Sequence, residues 1–240
     1  MINRVRNTVL SILNKDNRGY ITPEEFNLYS TQAQIEVFEQ KFFDYSIALN
    51  KQNAGLHGSD FANIAFKVEQ TIDRFLTPTV LMYNGTTAKF YAPGEDPSSN
   101  DSKAYRIEKL YYNNTVEIER VSEGKIRTLI NTPMTSPSVL YPVYTLDEQG
   151  LKVYPTSIVA NVNVNYIRYP KDPKWTYTSL SGGEPLFNQG ATDYQDFELP
   201  ADDEVNLILK ILEYSGIQIR EQEVYQAAKS DEVQNNQDKV

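Results

Sequence analysis

The spacing of apolar residues changes twice along the chain, and this change constrains the fold more than any other feature. Up to residue 78, apolar residues recur every three or four positions, which predicts amphipathic helices. Between 79 and 168 they alternate with polar residues around short turn sequences, which predicts strands. From 201 the helical spacing returns. The sequence therefore predicts a β-rich segment inserted between two helical ends.

Three helices are predicted in the N-terminal part. The second begins at the sequence TPEE, where Thr22 and Glu25 have the spacing of a capping box, and it runs for about seven turns. The third is expected to start near Ser59 and Asp60 and to end at Pro78, because proline disrupts a helix interior. The apolar faces of the three helices are predicted at Ile2, Val5, Val9, Ile12 and Leu13; at Leu28, Ile35, Phe38, Phe42, Tyr45 and Leu49, widened by Phe26, Tyr29, Ala33 and Val37; and at Phe61, Ile64, Ala65, Val68, Ile72, Phe75 and Leu76.

Three hairpins are predicted in the middle of the chain, around Asn84-Gly85, Asn113-Asn114 and Glu148-Gln149-Gly150. A short helix is predicted within 122–134, between the second and third hairpins. A long strand follows, because four apolar residues alternate with asparagines. These apolar residues are Val159, Val162, Val164 and Tyr166.

The last part of the chain is predicted to be a loop followed by helix. Residues 170–200 are rich in Pro, Gly, Ser and Asp, which favours a loop. Acidic residues then begin a helix that we expect to break at Gly216 and to resume with Ile219, Val224 and Ala227. The apolar face of this helix is predicted at Val205, Ile208, Leu209 and Leu212.

The predicted fold class is α+β, with a bundle formed by N-terminal and C-terminal helices and a β-rich insert of hairpins or a small sandwich. The predicted parts are an N-terminal helical part at 1–78 and a β-rich insert with long loops at 79–200. Helices at 201–232 are expected to pack back on the N-terminal bundle, and 233–240 to form a frayed tail.

Composition narrows the classes of function. The formal charge of −9 argues against tight binding to nucleic acid, which needs clustered lysine and arginine. The absence of cysteine excludes disulfides and fits synthesis in a reducing cytoplasm. We find neither an apolar run that spans a membrane nor the pattern of a signal peptide. The 17 tyrosines are typical of polar protein interfaces and also of sugar-binding sites, so both interpretations stay open.

Residues 14–26, with the sequence NKDNRGYITPEEF, match the calcium loop of an EF-hand at several positions. The positions that would supply ligands hold Asn14, Asp16, Arg18, Tyr20, Thr22 and Glu25. Arg18 places a guanidinium where an oxygen ligand is required, and the partner loop of a paired EF-hand is missing. A turn at Gly19 followed by the capping box accounts for the same residues. We therefore predict a corner between two helices and no metal site.

Other candidate sites lack a complete set of chemical groups. His57 is the only histidine, which together with the absence of cysteine excludes the common zinc sites. The pair Gly182-Gly183 indicates a flexible loop and not a phosphate-binding motif. Two acidic clusters supply carboxylates of the kind a glycosidase uses, but nothing in the sequence selects a catalytic pair. These clusters are Asp193, Asp196 and Glu198, and Asp202, Asp203 and Glu204. We predict that the protein is not an enzyme, with no catalytic residue and no cofactor.

Four segments, in this order, resemble virion structural proteins of crAss-like and related tailed bacteriophages. They are YITPEEFNLYSTQAQIEVFEQ, SPSVLYPVY, LKVYPTSIVANVNVNYIRYPKDPKWTY and FELPADDEVNLILKILEYSGI. The resemblance implies a ring component of the neck or tail, a head-to-tail connector that stacks below the portal and forms part of the tube for DNA. It also implies a helical bundle with a β-rich part and a homo-oligomer of about twelve copies.

The same resemblance implies the partners of the protein. They are further copies of itself, the portal and other neck or tail rings, while genomic DNA passes through the lumen without specific binding and no membrane is involved. The expected location is the virion neck or tail, after synthesis in the cytoplasm of the host bacterium. An alternative is a carbohydrate-binding or adhesion module of a virion or cell surface, suggested by the tyrosines, the asparagines and Trp175.

Overall fold

The structure, a computed structural model, describes residues 1–14, 20–53, 64–98, 101–148, 150–180 and 182–219. The chain divides into two compact units, one formed by Met1–Thr71 with Pro170–Val240 and the other by Ile72–Tyr169. We call them the helical unit and the sheet unit. Helices and a large sheet are both present, which confirms the α+β class. The sheet unit is shorter than the predicted insert, because the chain after Tyr169 belongs to the helical unit.

The structure contains helices and strands in the order that the change of period predicted. The helices are α1 (Ile2–Asn14), α2 (Pro23–Asn53), α3 (Ile64–Asp73), α4 (Glu123–Asn131) and α5 (Glu204–Ile219), with a 3₁₀ turn at Ala201–Asp203. The strands are β1 (Leu76–Val80), β2 (Tyr83–Asn84), β3 (Lys89–Phe90), β4 (Ala104–Tyr112), β5 (Val116–Arg120), β6 (Val143–Asp147), β7 (Gly150–Tyr154), β8 (Val162–Arg168), β9 (Tyr177–Ser179) and β10 (Pro185–Phe187).

Helix α2 begins with the predicted capping box. The backbone N–H of Glu25 donates to Thr22 Oγ1 at 3.2 Å, and the backbone N–H of Thr22 donates to Glu25 Oε2 at 2.9 Å. These two bonds satisfy donors that the first turn of a helix leaves open. The buried face of α2 differs from the predicted stripe, since Leu28 is exposed and two polar residues are buried. The buried residues of its first four turns are Pro23, Phe26, Ser30, Ala33, Gln34, Val37 and Phe38.

The third helix ends earlier than predicted. Helix α3 stops at Asp73, and Pro78 lies inside strand β1 instead of ending the helix. Strand β1 is at one edge of the sheet, where a residue without an N–H group is tolerated. The predicted helix start at Ser59, Asp60 and Phe61 lies outside the described residues, as does His57.

Helix α5 continues through Gly216 to Ile219, so the predicted break at this glycine is wrong. Ser215 and Gly216 are buried, and α5 packs on α1 and α2 within the helical unit. Close packing offsets the cost of about 1 kcal/mol that glycine brings to a helix interior. The buried face centres on Leu207 and Ile211, whereas Val205 is exposed. The predicted continuation at Val224 and Ala227, the helical end at 232 and the tail at 233–240 lie outside the described residues.

The sheet unit contains one sheet of eight strands in the order β1-β8-β4-β5-β6-β7-β3-β2, which includes the predicted hairpins. It is a single sheet and not the small sandwich that was the predicted alternative. All neighbouring strands are antiparallel except β5 and β6, which pair in parallel. A parallel pair needs a crossover connection, and here α4 and the segment after it supply that connection.

The predicted hairpins are all present, with one change in pairing. Asn113 and Asn114 both have positive φ angles, of 50° and 59°, and join β4 to β5. Strands β6 and β7 pair up to Asp147 opposite Gly150, and Gln149 of the predicted turn lies outside the described residues. The hairpin around Asn84-Gly85 is short, with Tyr83 opposite Phe90. The preceding strand, β1, does not extend it because β1 pairs with β8.

Strand β8 is the centre of the sheet core. Val162, Val164 and Tyr166 are fully buried, as their alternation predicted, but Val159 is exposed and lies before the strand. The core around them is formed by Leu81, Phe90, Leu110, Ile118, Tyr144, Leu151, Val153 and Ile158. A smaller cluster of Val121, Ile126 and Val143 holds α4 on the sheet.

Residues 170–200 belong to the helical unit and contain a hairpin that the sequence did not predict. Strands β9 and β10 pair from Tyr177 opposite Phe187 to Ser179 opposite Pro185. Gly183, at the tip, has a φ of 83° and donates its N–H to Leu180 O at 2.8 Å. The expected flexible loop at Gly182-Gly183 is therefore the turn of this hairpin. Leu180 and Leu186 are both exposed on it.

Candidate interaction surfaces

The stretch that resembles a calcium loop is only partly within the described structure. Asn14 ends α1, and Asp16, Arg18 and Gly19 lie outside the described residues. The carboxylate of Glu25, at the position of the bidentate calcium ligand, accepts hydrogen bonds from the N–H and the hydroxyl of Thr22. In the described part of the chain, no group of three or more His, Asp or Glu side chains is arranged to hold a metal ion.

In the acidic cluster at 193–198, Asp196 attaches the surrounding loop to the start of α1, whereas Asp193 and Glu198 pair with residues of the loop itself. Asp196 accepts hydrogen bonds from the N-terminal ammonium at 2.6 Å and from the backbone N–H of Ile2 at 2.7 Å. Burial raises the pKa of Asp196, but these bonds and one from Phe197 outweigh it, so that the pKa lies below its usual range. Asp193 pairs with Lys174 at 2.6 Å, and Glu198 accepts the backbone N–H of Lys171 at 2.8 Å. Each carboxylate thus has its own structural partner.

The second acidic cluster connects the start of α5 to three other helices. Asp202 pairs with Lys67 of α3 at 3.3 Å on the surface. Asp203, only 2% exposed, forms an ion pair with Lys41 of α2. Glu204 forms a bidentate pair with Arg4 of α1, in which Arg4 Nε lies 2.6 Å from Glu204 Oε1.

Acidic residues at the start of a helix are favoured by the helix dipole, which by itself explains their position in the sequence. The structure adds that Asp202, Asp203 and Glu204 pair with residues of three other helices, a role that depends on partners distant in sequence.

Trp175 is 2% exposed and does not present its ring to solvent. The guanidinium carbon of Arg6 lies 3.8 Å from the centroid of the ring, and the rings of Tyr177 and Phe187 stack near it at 5.7 and 5.8 Å. Its Nε1–H donates to Asn3 Oδ1 at 3.0 Å, and its backbone N–H donates to Asn27 Oδ1 at 2.8 Å. A sugar therefore has no free face of this ring on which to stack.

The end of α4 and the segment that leads from it toward β6 form an exposed apolar surface, residues 130–141, which we call the 130–141 loop. Met134 is 96% exposed, Tyr141 79% and Leu140 72%, and Ile130 and Val139 are also exposed. Folded monomers rarely keep so many large apolar side chains together in water. The segment SPSVLYPVY within the sequence resemblance covers part of this loop, but the exposure of its side chains was not predicted, because its apolar residues follow neither a helical nor a strand period.

Hydrogen bonds hold the 130–141 loop in a defined shape. Ser138 and Tyr141 exchange two backbone bonds, of 3.1 and 3.3 Å, which close a turn and place Val139 and Leu140 at its corner. The backbone N–H of Thr132 donates to Leu129 O at 3.3 Å and thereby continues the end of α4. The side chains at the corner are thus presented by an ordered backbone, which lowers the entropy lost when a partner binds.

Strand β1 carries a second apolar surface. Its outward row consists of Leu76, Pro78 and Val80, and the alternation continues at Met82. We call these four residues the β1 strip. Thr77 and Thr79 point to the other side, where Thr79 Oγ1 donates to Asp101 Oδ2 at 2.9 Å. The usual pattern of an edge strand, with apolar residues inward and polar residues outward, is therefore inverted.

The charge of the protein is distributed unevenly. In Ile72–Tyr169 the acidic and basic residues balance, so the formal charge of −9 falls on the rest of the chain. The two apolar surfaces, the 130–141 loop and the β1 strip, both belong to this balanced unit. A protein partner can approach it without meeting a net repulsion from like charges.

Within the part of the chain that the structure describes, no helix combines the length and the apolar character needed to cross a membrane. Comparison of the sequence with models of protein families and with curated proteins finds no match.

Proposed function

We propose that the protein is a structural ring subunit of a phage neck or tail, which assembles below the portal and forms part of the tube for DNA. The resemblance of the four sequence segments implies this function. The structural observation that supports this proposal most is the 130–141 loop, a hydrogen-bonded segment with five exposed apolar side chains. Such a surface is expected in a subunit that is completed by its neighbours, because apolar area left in water is unfavourable.

A ring requires that each subunit present two different surfaces to its two neighbours, in a head-to-tail contact that closes. The 130–141 loop and the β1 strip differ in shape, since one projects and the other is a row along a strand. The β9–β10 hairpin of the helical unit, with exposed Leu180 and Leu186, adds a third candidate contact for rings above or below.

In this proposal, α1, α2 and α5 form the helical bundle of the subunit wall. Their contacts support it, since Lys210 Nζ lies 2.8 Å from Glu36 Oε1 and Tyr214 donates its hydroxyl to Glu36 Oε2 at 2.9 Å. Burial and this hydrogen bond raise the pKa of Tyr214 to about 12. The phenol therefore stays protonated and keeps donating at neutral pH.

The acidic character of the helical unit fits a tube that conducts DNA. Net negative charge opposes adhesion of a polyanion, so DNA can pass without being held. The proposed partners are further copies of the chain, the portal and the neighbouring rings, and the proposed location is the virion.

The test is assembly of the purified full chain, alone and mixed with the portal protein of the phage that encodes it. We expect closed rings of about twelve copies in negative-stain images, with a matching mass in light scattering. A portal from an unrelated phage serves as the matched control and should not capture the chain.

The opposite result is a chain that forms no ring, either alone or with its portal, and that binds glycans on an array. That result would contradict the proposal and favour the carbohydrate-binding alternative. A gene position beside portal, capsid and terminase genes is an independent expectation of the proposal.

A further inference from the structure

We infer that the β1 strip of one copy of the chain receives the 130–141 loop of the next copy. This inference rests on the proposed ring function and names the two surfaces that make its subunit contact. The contact is heterologous, because a projecting loop meets a row of side chains along a strand. It lies entirely between sheet units.

Strand β1 exposes a row of apolar side chains at the edge of the sheet. Leu76 is 40% exposed, Val80 57% and Met82 55%, and Pro78 between them is also exposed. On β8, the strand next to β1, Asn163 and Asn165 lie opposite Val80 and Pro78, so the surface beside this part of the strip is polar, while the buried Ile167 lies opposite Leu76. A continuous apolar row with a polar border is typical of a protein interface with a dry centre.

The 130–141 loop contains a turn that is closed by hydrogen bonds. Val139 and Leu140 occupy the corner of a turn closed by the paired backbone bonds of Ser138 and Tyr141, and the side chain of Tyr141 flanks them in solvent. The loop thus presents adjacent exposed apolar side chains at a turn, which can pack against a row of apolar side chains. Because the turn is already formed, little conformational freedom is lost on contact.

The loop does not cover the strip of its own copy. Both surfaces are exposed, and strands β8, β4 and β5 separate β1 from β6, the strand that follows the loop. At the usual spacing of about 4.8 Å between neighbouring strands, β1 and β6 are well separated along the sheet. The loop can therefore reach a β1 strip only in another molecule.

Charge favours a second copy as the occupant. A partner that carries the same charge of −9 meets repulsion wherever acidic surfaces approach each other. The sheet unit carries no net charge, so two copies can approach through it without this cost. A strongly basic partner would gain nothing at this surface, because the strip itself contains no charged residue.

The contact uses side chains and not backbone pairing. Phe75 O accepts the N–H of Arg168, and the N–H of Leu81 donates to Val162 O, so the odd-numbered positions of β1 point their backbone groups toward β8. The groups of Leu76, Pro78 and Val80 therefore lie at the outer edge, and Pro78 has no N–H to donate. An added strand would lack a bond at the centre of this edge.

Two full-length variants test the inference, the loop variant Leu140→Asp and the strip variant Val80→Asp, whose added charges have the same sign and repel each other. The wild-type chain is expected to associate as its concentration rises in sedimentation velocity. Each variant should associate at least about thirtyfold more weakly, as expected when a side chain at the centre of an interface is replaced. Val159→Asp is the matched control, because Val159 is similarly exposed in the same unit outside both surfaces.

A mixture of the two variants tests specifically whether the loop of one copy binds the strip of another. The loop variant keeps an intact strip, and the strip variant keeps an intact loop, so the mixture should form one-to-one complexes that do not grow further. Circular dichroism checks that both variants are folded, and Leu140→Ser and Val80→Thr replace either variant that is not.

The inference is overturned if either variant assembles like the wild type, if the mixture stays monomeric, or if the wild-type chain does not associate. These failures are distinguishable from failure of the ring function itself. Rings that form with the portal and accept both variants would contradict only the loop-to-strip contact. A wild-type chain that forms no ring with its portal would contradict the ring function.

Discussion

Arg6 and Trp175 form a buried cation–π pair, with the guanidinium carbon 3.8 Å from the centroid of the indole ring. The pair attaches the segment that precedes β9 to helix α1. Burial lowers the pKa of Arg6, because removal from water disfavours the charged form of the guanidinium. Such a desolvated pair contributes about 2 kcal/mol in addition to the burial of the tryptophan itself.

Replacement of Trp175 by alanine should lower the free energy of unfolding by about 3–5 kcal/mol, because it removes a large buried side chain on which Arg6, Tyr177 and Phe187 pack. Urea denaturation followed by circular dichroism measures the change. Trp175→Phe keeps an aromatic ring but loses the hydrogen bond to Asn3, so it should lose less stability. A loss below about 1 kcal/mol for the alanine variant would contradict the anchoring role.

Replacement of Asp203 by asparagine should destabilise the protein by about 3 kcal/mol, because it leaves the ammonium of Lys41 without its counter-charge in a mostly buried place. Asp202→Asn is the matched control in the adjacent residue. Its pair with Lys67 is exposed on both sides, so the expected change is about 0–1 kcal/mol. Equal losses for the two variants would show that burial does not decide the contribution of these pairs.

Replacement of either of two glycines by alanine should change the free energy of unfolding, but in opposite directions for the two positions. Gly150 has a φ of +123°, and a Cβ there would lie 2.3 Å from Phe90 O, so Gly150→Ala should destabilise the protein by at least about 2 kcal/mol. Gly124 lies in α4 with open space around it, and Gly124→Ala should stabilise the protein by about 0.5–1 kcal/mol. Thermal unfolding of both variants measures the difference, and a stable Gly150→Ala protein would refute the close approach of β3 and β7.

Asp196 should contribute to the stability of the protein in a way that depends on pH. Its pKa is lower in the folded protein than in the unfolded chain, where a carboxyl titrates near about 3.9. The contribution is therefore present above that value and is lost as the pH falls through the folded pKa. We expect the free energy of unfolding to decrease less steeply between about pH 5 and pH 3 in Asp196→Asn than in the wild type. Parallel curves for the two proteins would contradict the depressed pKa.

Features that depend on neighbouring residues were predicted well. The capping box at Thr22 and Glu25 is confirmed, because its two partners are three residues apart and need nothing else. The turn at Asn113-Asn114 is confirmed for the same reason, since asparagine tolerates positive φ angles. The alternation of Val162, Val164 and Tyr166 predicted a buried strand face, since every second residue points to the same side.

Features that depend on distant segments were predicted poorly. Pro78 was expected to end a helix, but the antiparallel pairing of β1 with β8 determines its conformation. The face of α5 is rotated from Val205 toward Leu207 and Ile211, because α1 and α2 select the side that is buried. Gly216 does not break this helix, since packing outweighs a weak local preference.

The candidate interaction surfaces also depend on contacts between distant segments, although their residues are visible in the sequence. The apolar residues of the 130–141 loop and of β1 are plain in the sequence, but exposure is a property of the folded chain. Hydrophobic residues are normally buried, so the sequence alone does not distinguish Leu140 and Val80 from residues of the core. The order of strands shows that Leu140 lies in a crossover connection and Val80 on an edge strand, where both are exposed. Local periodicity, capping and turn chemistry define which segments become helix or strand. Which apolar side chains are left in water depends on contacts between segments far apart in the chain, because burial is a relation between surfaces and not a property of one residue.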